Sequence, residues 1–473
     1  MNVRRQFVGR ARAACVWAIL GSTMFLLGGC PLIPIGGGGG GGGGGEGGEP
    51  NNDEIRNKTF VGAANCALCH SGKHDEWAET LHSKALEALE GVGQGSNPAC
   101  LVCHTVGFGQ TDGFVDKTTT NYLANVQCEN CHGAGGAHLR DPLNLAVRPV
   151  VSLSADVCGA CHTDVHHPNF DQWSESRHAR VTPDVAAQIV AGGTSVNNCG
   201  QCHSGEVFFR SRLNGETVAD DAFVGKNPDE LIPVTCAICH DPHARTGNAA
   251  APETGRDFQL RFKEVASPTP SNVVEDTTNP ERFNLCGQCH HDRGRTWDIS
   301  TRGPHHSIQS NVYVGEMPMP EGQTDTPLVL SRVSVHSFAP EQCATCHMYR
   351  KDFESAEAPT ISGHNFTVNT AGCATTGCHP SAEAAASAKA TLQGEVKSRL
   401  DAIAARLGAP ATWEYTSGGG PDAAGQTALS DQVRKARFLY YYVTNDLSLG
   451  VHNPAYVHAM LDKAEELLKE VGM

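Results

Sequence analysis

Eight runs of the form Cys-x-x-Cys-His punctuate the chain. Their cysteines are Cys66 and Cys69, Cys100 and Cys103, Cys128 and Cys131, Cys158 and Cys161, Cys199 and Cys202, Cys236 and Cys239, Cys286 and Cys289, and Cys343 and Cys346. The histidines that follow are His70, His104, His132, His162, His203, His240, His290 and His347. With 20 Cys and 23 His in 473 residues, chance placement yields roughly 0.04 such runs of the c-type haem-attachment pattern. The spacing has a chemical reason. Two thiols reach the two vinyl groups on one porphyrin edge, and the next residue brings an imidazole under the iron as proximal ligand. The competing uses of CxxC, a redox dithiol or a zinc knuckle, give no reason for a His after the second Cys each time.

Cys373-Ala-Thr-Thr-Gly-Cys378-His379 is a wider version of the same pattern, and a ninth site is expected there. Motif starts recur every 28 to 57 residues, and this one keeps the rhythm. A disulfide, or a zinc site lacking partners, is the alternative. The nine sites use 18 of the 20 cysteines; Cys15 and Cys30, both near the N-terminus, are left over.

Fourteen His remain after nine proximal ones, against 7 Met. A second imidazole on each iron lowers its potential relative to Met/His ligation. The distal candidates are His82, His138, His166, His178, His243, His306, His336, His364 and His452. Trp77-Ala-Glu-Thr-Leu-His82 and Trp173-Ser-Glu-Ser-Arg-His178 form an internal repeat. His166 and His167 are a doublet of which one would ligate, and His305-His306 is another. His243 lies three residues after His240, too close to reach the far face of the same haem, so a neighbouring haem is expected to take it. His74, His291 and His458 read as ordinary histidines.

The elements that position these groups are sparse. Hydrophobic residues make up 40% and aromatics 6% of the chain, so porphyrins are expected to fill much of the interior. The fold class expected is mainly α with much irregular loop: a haem array over 59–380, then a helical tail over 381–473. In the tail, Leu392, Val396, Leu400, Ile403 and Leu407 mark one helix face within Ser381–Leu407. A glycine-rich loop follows near Gly418–Gly420, then helices at about 429–444 and 454–471, with Pro454 suited to a helix start.

Residues 1–30 read as a lipoprotein signal peptide: Arg4, Arg5, Arg10 and Arg12, an apolar stretch, and a lipobox-like Leu27-Gly-Gly-Cys30. Cys30 would carry the lipid; an ordinary cleaved signal is the alternative. The Arg pair also looks like a twin-arginine signal, but that route carries folded cargo, and haem is attached after export. Residues 31–58, with ten glycines at Gly36–Gly45, read as a flexible tether with a reach of roughly 25 Å. The expected location is therefore the periplasm or the outer membrane and cell surface. A net charge of −15 argues against a nucleic-acid partner and for redox protein partners.

On these motifs the chain resembles the multihaem cytochrome c superfamily, which includes octahaem cytochromes, hydroxylamine oxidoreductase-like proteins and pentahaem nitrite reductases. Phe60-Val-Gly62 through Cys66, Cys236–His240 with Asp241-Pro-His243, and Gly303-Pro-His305-His306 carry the likeness over roughly 59–473. By the same resemblance, His452 in Gly450-Val-His-Asn-Pro454 would serve as a distal ligand supplied from the helical tail. No CxxCK marks a catalytic haem, and Tyr440, Tyr441 and Tyr442 lie in the helical tail. Two functions follow as expectations. The first is electron transfer through about nine covalent haem c groups. The second is oxidoreduction of a small nitrogen or sulfur compound at one haem with an open position.

Overall fold

A CxxC run is one helical turn long, so its two thiols fall on one face when it is helical. The structure, a computed structural model, adopts this arrangement repeatedly. It describes residues 55, 57–246, 258–261, 285–323, 334–339, 341–375 and 377–473, which belong to one compact unit, Glu49–Met473. The signal peptide, Cys30 and the glycine tether lie outside the described residues.

Motif helices are α1 (Ala63–Ala78), α2 (Pro98–His104), α3 (Cys128–His132), α4 (Asp156–Gly159), α5 (Ser195–His203), α6 (Cys236–Cys239), α7 (Cys343–His347) and α8 (Thr370–Thr375). Local sequence starts them: Pro98 sits at the first turn of α2, and the Asn97 side chain accepts the Ala99 amide at 3.0 Å. The chain leaves the helix at or just after the histidine. Thr105 and Ser204 are extended, His240 is itself extended, and Gly133 takes φ 83°, a left-handed value suited to Gly. That exit frees the imidazole from the helix surface.

Among the described residues no β-strand forms; the pairing consists of isolated bridges such as Thr105 with Ala124. Two small apolar clusters lie among the motifs, one around Phe60, Leu86, Leu123 and Phe114, the other around Ile189, Val196, Val207 and Phe223. Between them, backbone is held by side chains. The buried Glu129 carboxylate accepts the amides of Val61 (3.1 Å), Gly62 (2.9 Å) and Gly135 (2.7 Å), binding the entrance of α1 to α3. Glu129→Ala strands three buried donors at about 1–3 kcal/mol each. A loss of at least about 3 kcal/mol is expected, read as a lower denaturation midpoint at unchanged haem content.

The tail forms three helices: α9 (Ala382–Leu407), α10 (Asp431–Asn445) and α11 (Pro454–Glu470). Ser381 caps α9 by accepting the Ala384 amide, and Asn453 caps α11 ahead of Pro454. Val396, Leu400, Ile403 and Leu407 are buried and Leu392 packs beside them, as the spacing requires. This core also takes in Trp297, Ile308, Val312 and Met317 from the haem-motif region. No helix among the described residues is long and apolar enough to cross a membrane.

Candidate functional site

The geometry tests whether haem fits. Two imidazoles sharing one iron should have centroids about 6 Å apart, given metal–nitrogen bonds of about 2 Å. Histidines distant in sequence face the motif histidines at this separation: His82 and His162 at 6.0 Å, His132 and His243 at 5.9 Å, and His178 and His290, His240 and His364, and His347 and His452 all at 6.2 Å. His203 faces both His305 (6.5 Å) and His306 (6.2 Å). The separation is too wide for direct contact between rings and suits an atom held between them.

The other ring nitrogen is engaged. Nδ1–H donates to Ala85 O from His104 (2.8 Å), to Val150 O from His132 (2.6 Å), to Phe258 O from His240 (2.6 Å) and to Phe366 O from His347 (3.0 Å). Such a bond fixes the tautomer and leaves Nε2 for the metal. Burial holds the imidazoles of His162, His178 and His364 down to about 4, so they stay neutral with a lone pair to give. His452 behaves oppositely. Burial pushes it down, but the buried Asp446 carboxylate, 2.7 Å from Nδ1, outweighs this and raises it.

The alternatives to haem fit less well. The eighteen described cysteines form no disulfide. Burial pushes the Cys131 thiol up to about 11 and Cys239 to about 12, while hydrogen bonds with cysteines of other motifs lower Cys128, Cys202, Cys236 and Cys286. Among the described residues, the close trio of metal-ligating atoms is His203, His305 and His306, which contains no cysteine.

Of the first doublet, His166 rests on Phe353 at 4.1 Å, while His167 lies 6.3 Å from both His104 and His162. A positive φ at Asp164 and the short turn it starts set which ring points inward, and the two residues look alike in sequence. His138 lies on the turn Gly136–Arg140 with Nδ1 buried and without a hydrogen-bond partner. His336 donates Nδ1–H to Val451 O (2.8 Å) and lies within electrostatic range of His379. His74 packs at a tilt against Trp77, His291 accepts the Arg293 amide, and His458 contacts Arg399.

Two features were not legible beforehand. The repeated Trp residues are clamps: Trp77 Nε1 donates to Val126 O (3.0 Å) and Trp173 Nε1 to Val234 O (2.9 Å), each two residues before a motif. The repeat was visible in the sequence, its partners were not. A cavity of about 680 Å³ also adjoins His305 and His306, lined by Arg293, Arg295, Arg302, Tyr415 and Tyr441 among others. Tyr441 hydrogen-bonds Glu414, and Arg437 lies over the Tyr415 ring at 3.8 Å.

Repeated CxxCH turns and paired imidazoles on a strand-free helical scaffold define a multihaem c-type cytochrome. Comparison with known proteins agrees. The family model for cytochrome c554 and c-prime matches residues 65–133. The chain is 34% identical over 91 residues to cytochrome c-554 of Nitrosomonas europaea, covering 16% of this chain and 39% of that one. It is 27% identical over 167 residues to the multiheme cytochrome MtrA of Shewanella baltica (31% and 45% covered). It is 26% identical over 222 residues to the C-type polyheme cytochrome OmcB of Geobacter sulfurreducens (42% and 26%). The chain thus spans less than half the length of these curated relatives. Among solved structures, the outer cell wall cytochrome OcwA superposes with a TM-score of 0.57 at 19% identity, covering 87% of this chain and 100% of that one. The undecaheme cytochrome from the S-layer of Carboxydothermus ferrireducens gives 0.55 at 19% identity, covering 87% and 70%. The chain is thus similar in sequence to multihaem c-type cytochromes over part of its length and shares their fold.

Proposed function

We propose that this protein carries electrons in the bacterial cell envelope through about nine covalent haem c groups, most or all with two axial histidines. The observation that carries the reading is the set of His pairs at 5.9 to 6.5 Å, with at least one ring opposite each of seven motif histidines. When bound, each haem supplies a one-electron Fe(III)/Fe(II) couple. The chain's own residues do the rest. The motif thiols would hold each porphyrin edge and the paired imidazoles would supply Nε2 donors to each iron, while backbone carbonyls hold the rings in place, so that little would reorganise on electron transfer. His379 would complete a ninth site, with His336, within electrostatic range, as its distal partner. The lipobox-like Cys30 and the glycine tether support attachment to a membrane, with the haem domain free to meet redox partners. OcwA is an outer cell wall cytochrome and the Carboxydothermus ferrireducens protein comes from the S-layer, which supports an exported location.

One observation favours a second reading. At His203 three imidazoles converge where an iron takes two, and Arg293, Arg295 and Arg302 gather beside them. Among the described residues no ion pair joins these three cations to a carboxylate. Two propionates of one haem would answer two of the charges. The third is free for a small oxyanion, which could reach the iron if the doublet swung away.

One experiment addresses both. The oxidised protein is expected to show low-spin EPR signals throughout. His167→Ala should convert one haem to high spin and His166→Ala should not. A high-spin signal in the unmodified protein that nitrite or sulfite alters would replace the first reading by the second.

A further inference from the structure

The motif cysteines meet one another in a pattern of period three. Cys66 lies beside Cys128 and, three motifs on, Cys158 lies beside Cys236: the first site of each trio touches the third. Cys131 is close enough to Cys158, and Cys239 to Cys286, for their charges to interact: the third lies near the next trio's first. Cys103 lies beside Cys161 and Cys202 beside Cys289: the second also touches the next trio's first. Among the described residues Cys100, Cys103, Cys199 and Cys202 meet thiols of no further site.

Independent features share the period. The Trp77 and Trp173 clamps each secure the backbone before the third motif of their own trio. His82, after the first motif, faces His162 of the fourth; His178, after the fourth, faces His290 of the seventh. The last trio departs: Cys286 lies beside Cys343, and Cys346 beside Cys373, so its sites run in sequence order.

We propose that the haem sites form a trunk in the order 1-3-4-6-7-8-9, with sites 2 and 5 as one-ended spurs on sites 4 and 7. The physical reason is that each thiol pair holds one porphyrin edge. Neighbouring thiols therefore bring neighbouring edges together, and tunnelling decays steeply with edge separation. This inference rests on the electron-carrier reading. It also places the arginine-lined cavity on a spur, where a ligand would not interrupt through-traffic.

Two measurements on the holoprotein test it. A cryo-EM map locating the irons should give the site-2 and site-5 irons one close neighbour each; a map with site 2 bridging sites 1 and 3 would overturn the proposal. The second is current through monolayers oriented by a C-terminal tag under a top contact. Cys100→Ala/Cys103→Ala removes the site-2 haem and Cys128→Ala/Cys131→Ala the site-3 haem; the site-3 loss should lower the current at least about tenfold more than the site-2 loss, as a modest added barrier does. Mass spectrometry confirms the loss of one haem in each. Should a site-3 variant fail to fold, His243→Met keeps the haem but raises its potential, with His167→Met as the spur counterpart. The trunk variant is expected to slow the current more than the spur variant. Equal losses from both would sink the branching scheme alone. An unmodified film no more conductive than one lacking haem would instead sink the electron-carrier reading.

Discussion

Chain produced without haem attachment is expected to be unfolded over residues 57–380. The motif helices α3, α4, α5, α6 and α7 are 5, 4, 9, 4 and 5 residues long. Isolated helices shorter than about 12–15 residues are marginal in water, so tertiary partners must hold these. The clusters around Phe60 and Ile189 contain seven buried residues each, too few to order that length of loop. Beside the motifs, Leu68, Val102, Val150 and Val151 are largely exposed to solvent, apolar surface that a porphyrin would cover. The C-terminal core is different, with 22 buried residues around helices of 26, 15 and 17 residues. Circular dichroism of the haem-free chain should therefore show a strongly reduced helical signal, of a size the three tail helices can supply, and no near-ultraviolet signature from the motif region. A haem-free form with full helical content and one cooperative transition would contradict this.

The second large effect is at His452. His452→Ala removes the ring facing His347 at 6.2 Å and the partner of Asp446, whose side chain is fully buried. One haem is expected to become high-spin, and its potential to rise. Stability should fall by about 1.5–3 kcal/mol, the worth of a hydrogen bond to a charged group. His452→Ala/Asp446→Asn should recover part of the stability and none of the low-spin signal. EPR and denaturant titration separate the two. An unchanged spectrum in the single variant would remove His452 from the coordination sphere.

How far could these features be read in advance? The attachment motifs could, because two thiols and an imidazole within five residues depend on one helical turn and nothing else. The amphipathic face of α9 could too, since Leu392 through Leu407 recur at helical spacing. The opposite imidazoles could be gathered only as candidates. His243 was expected to serve a neighbouring haem because three residues cannot span a porphyrin, and it faces His132. That the neighbour is the third site, more than a hundred residues back, had no local signal. His166 and His167 show the limit: adjacent, chemically identical, and separated only by a turn that aims one at His104 and the other at Phe353.

Composition and spacing alone therefore pointed to which residues would attach haem and to an interior that haem would fill, because both depend on chemistry within one turn or on totals. Only tertiary structure decided which imidazoles meet, which carbonyls orient them, and which thiols lie side by side. Those contacts join residues as far apart as His347 and His452, and packing rather than sequence separation determines them.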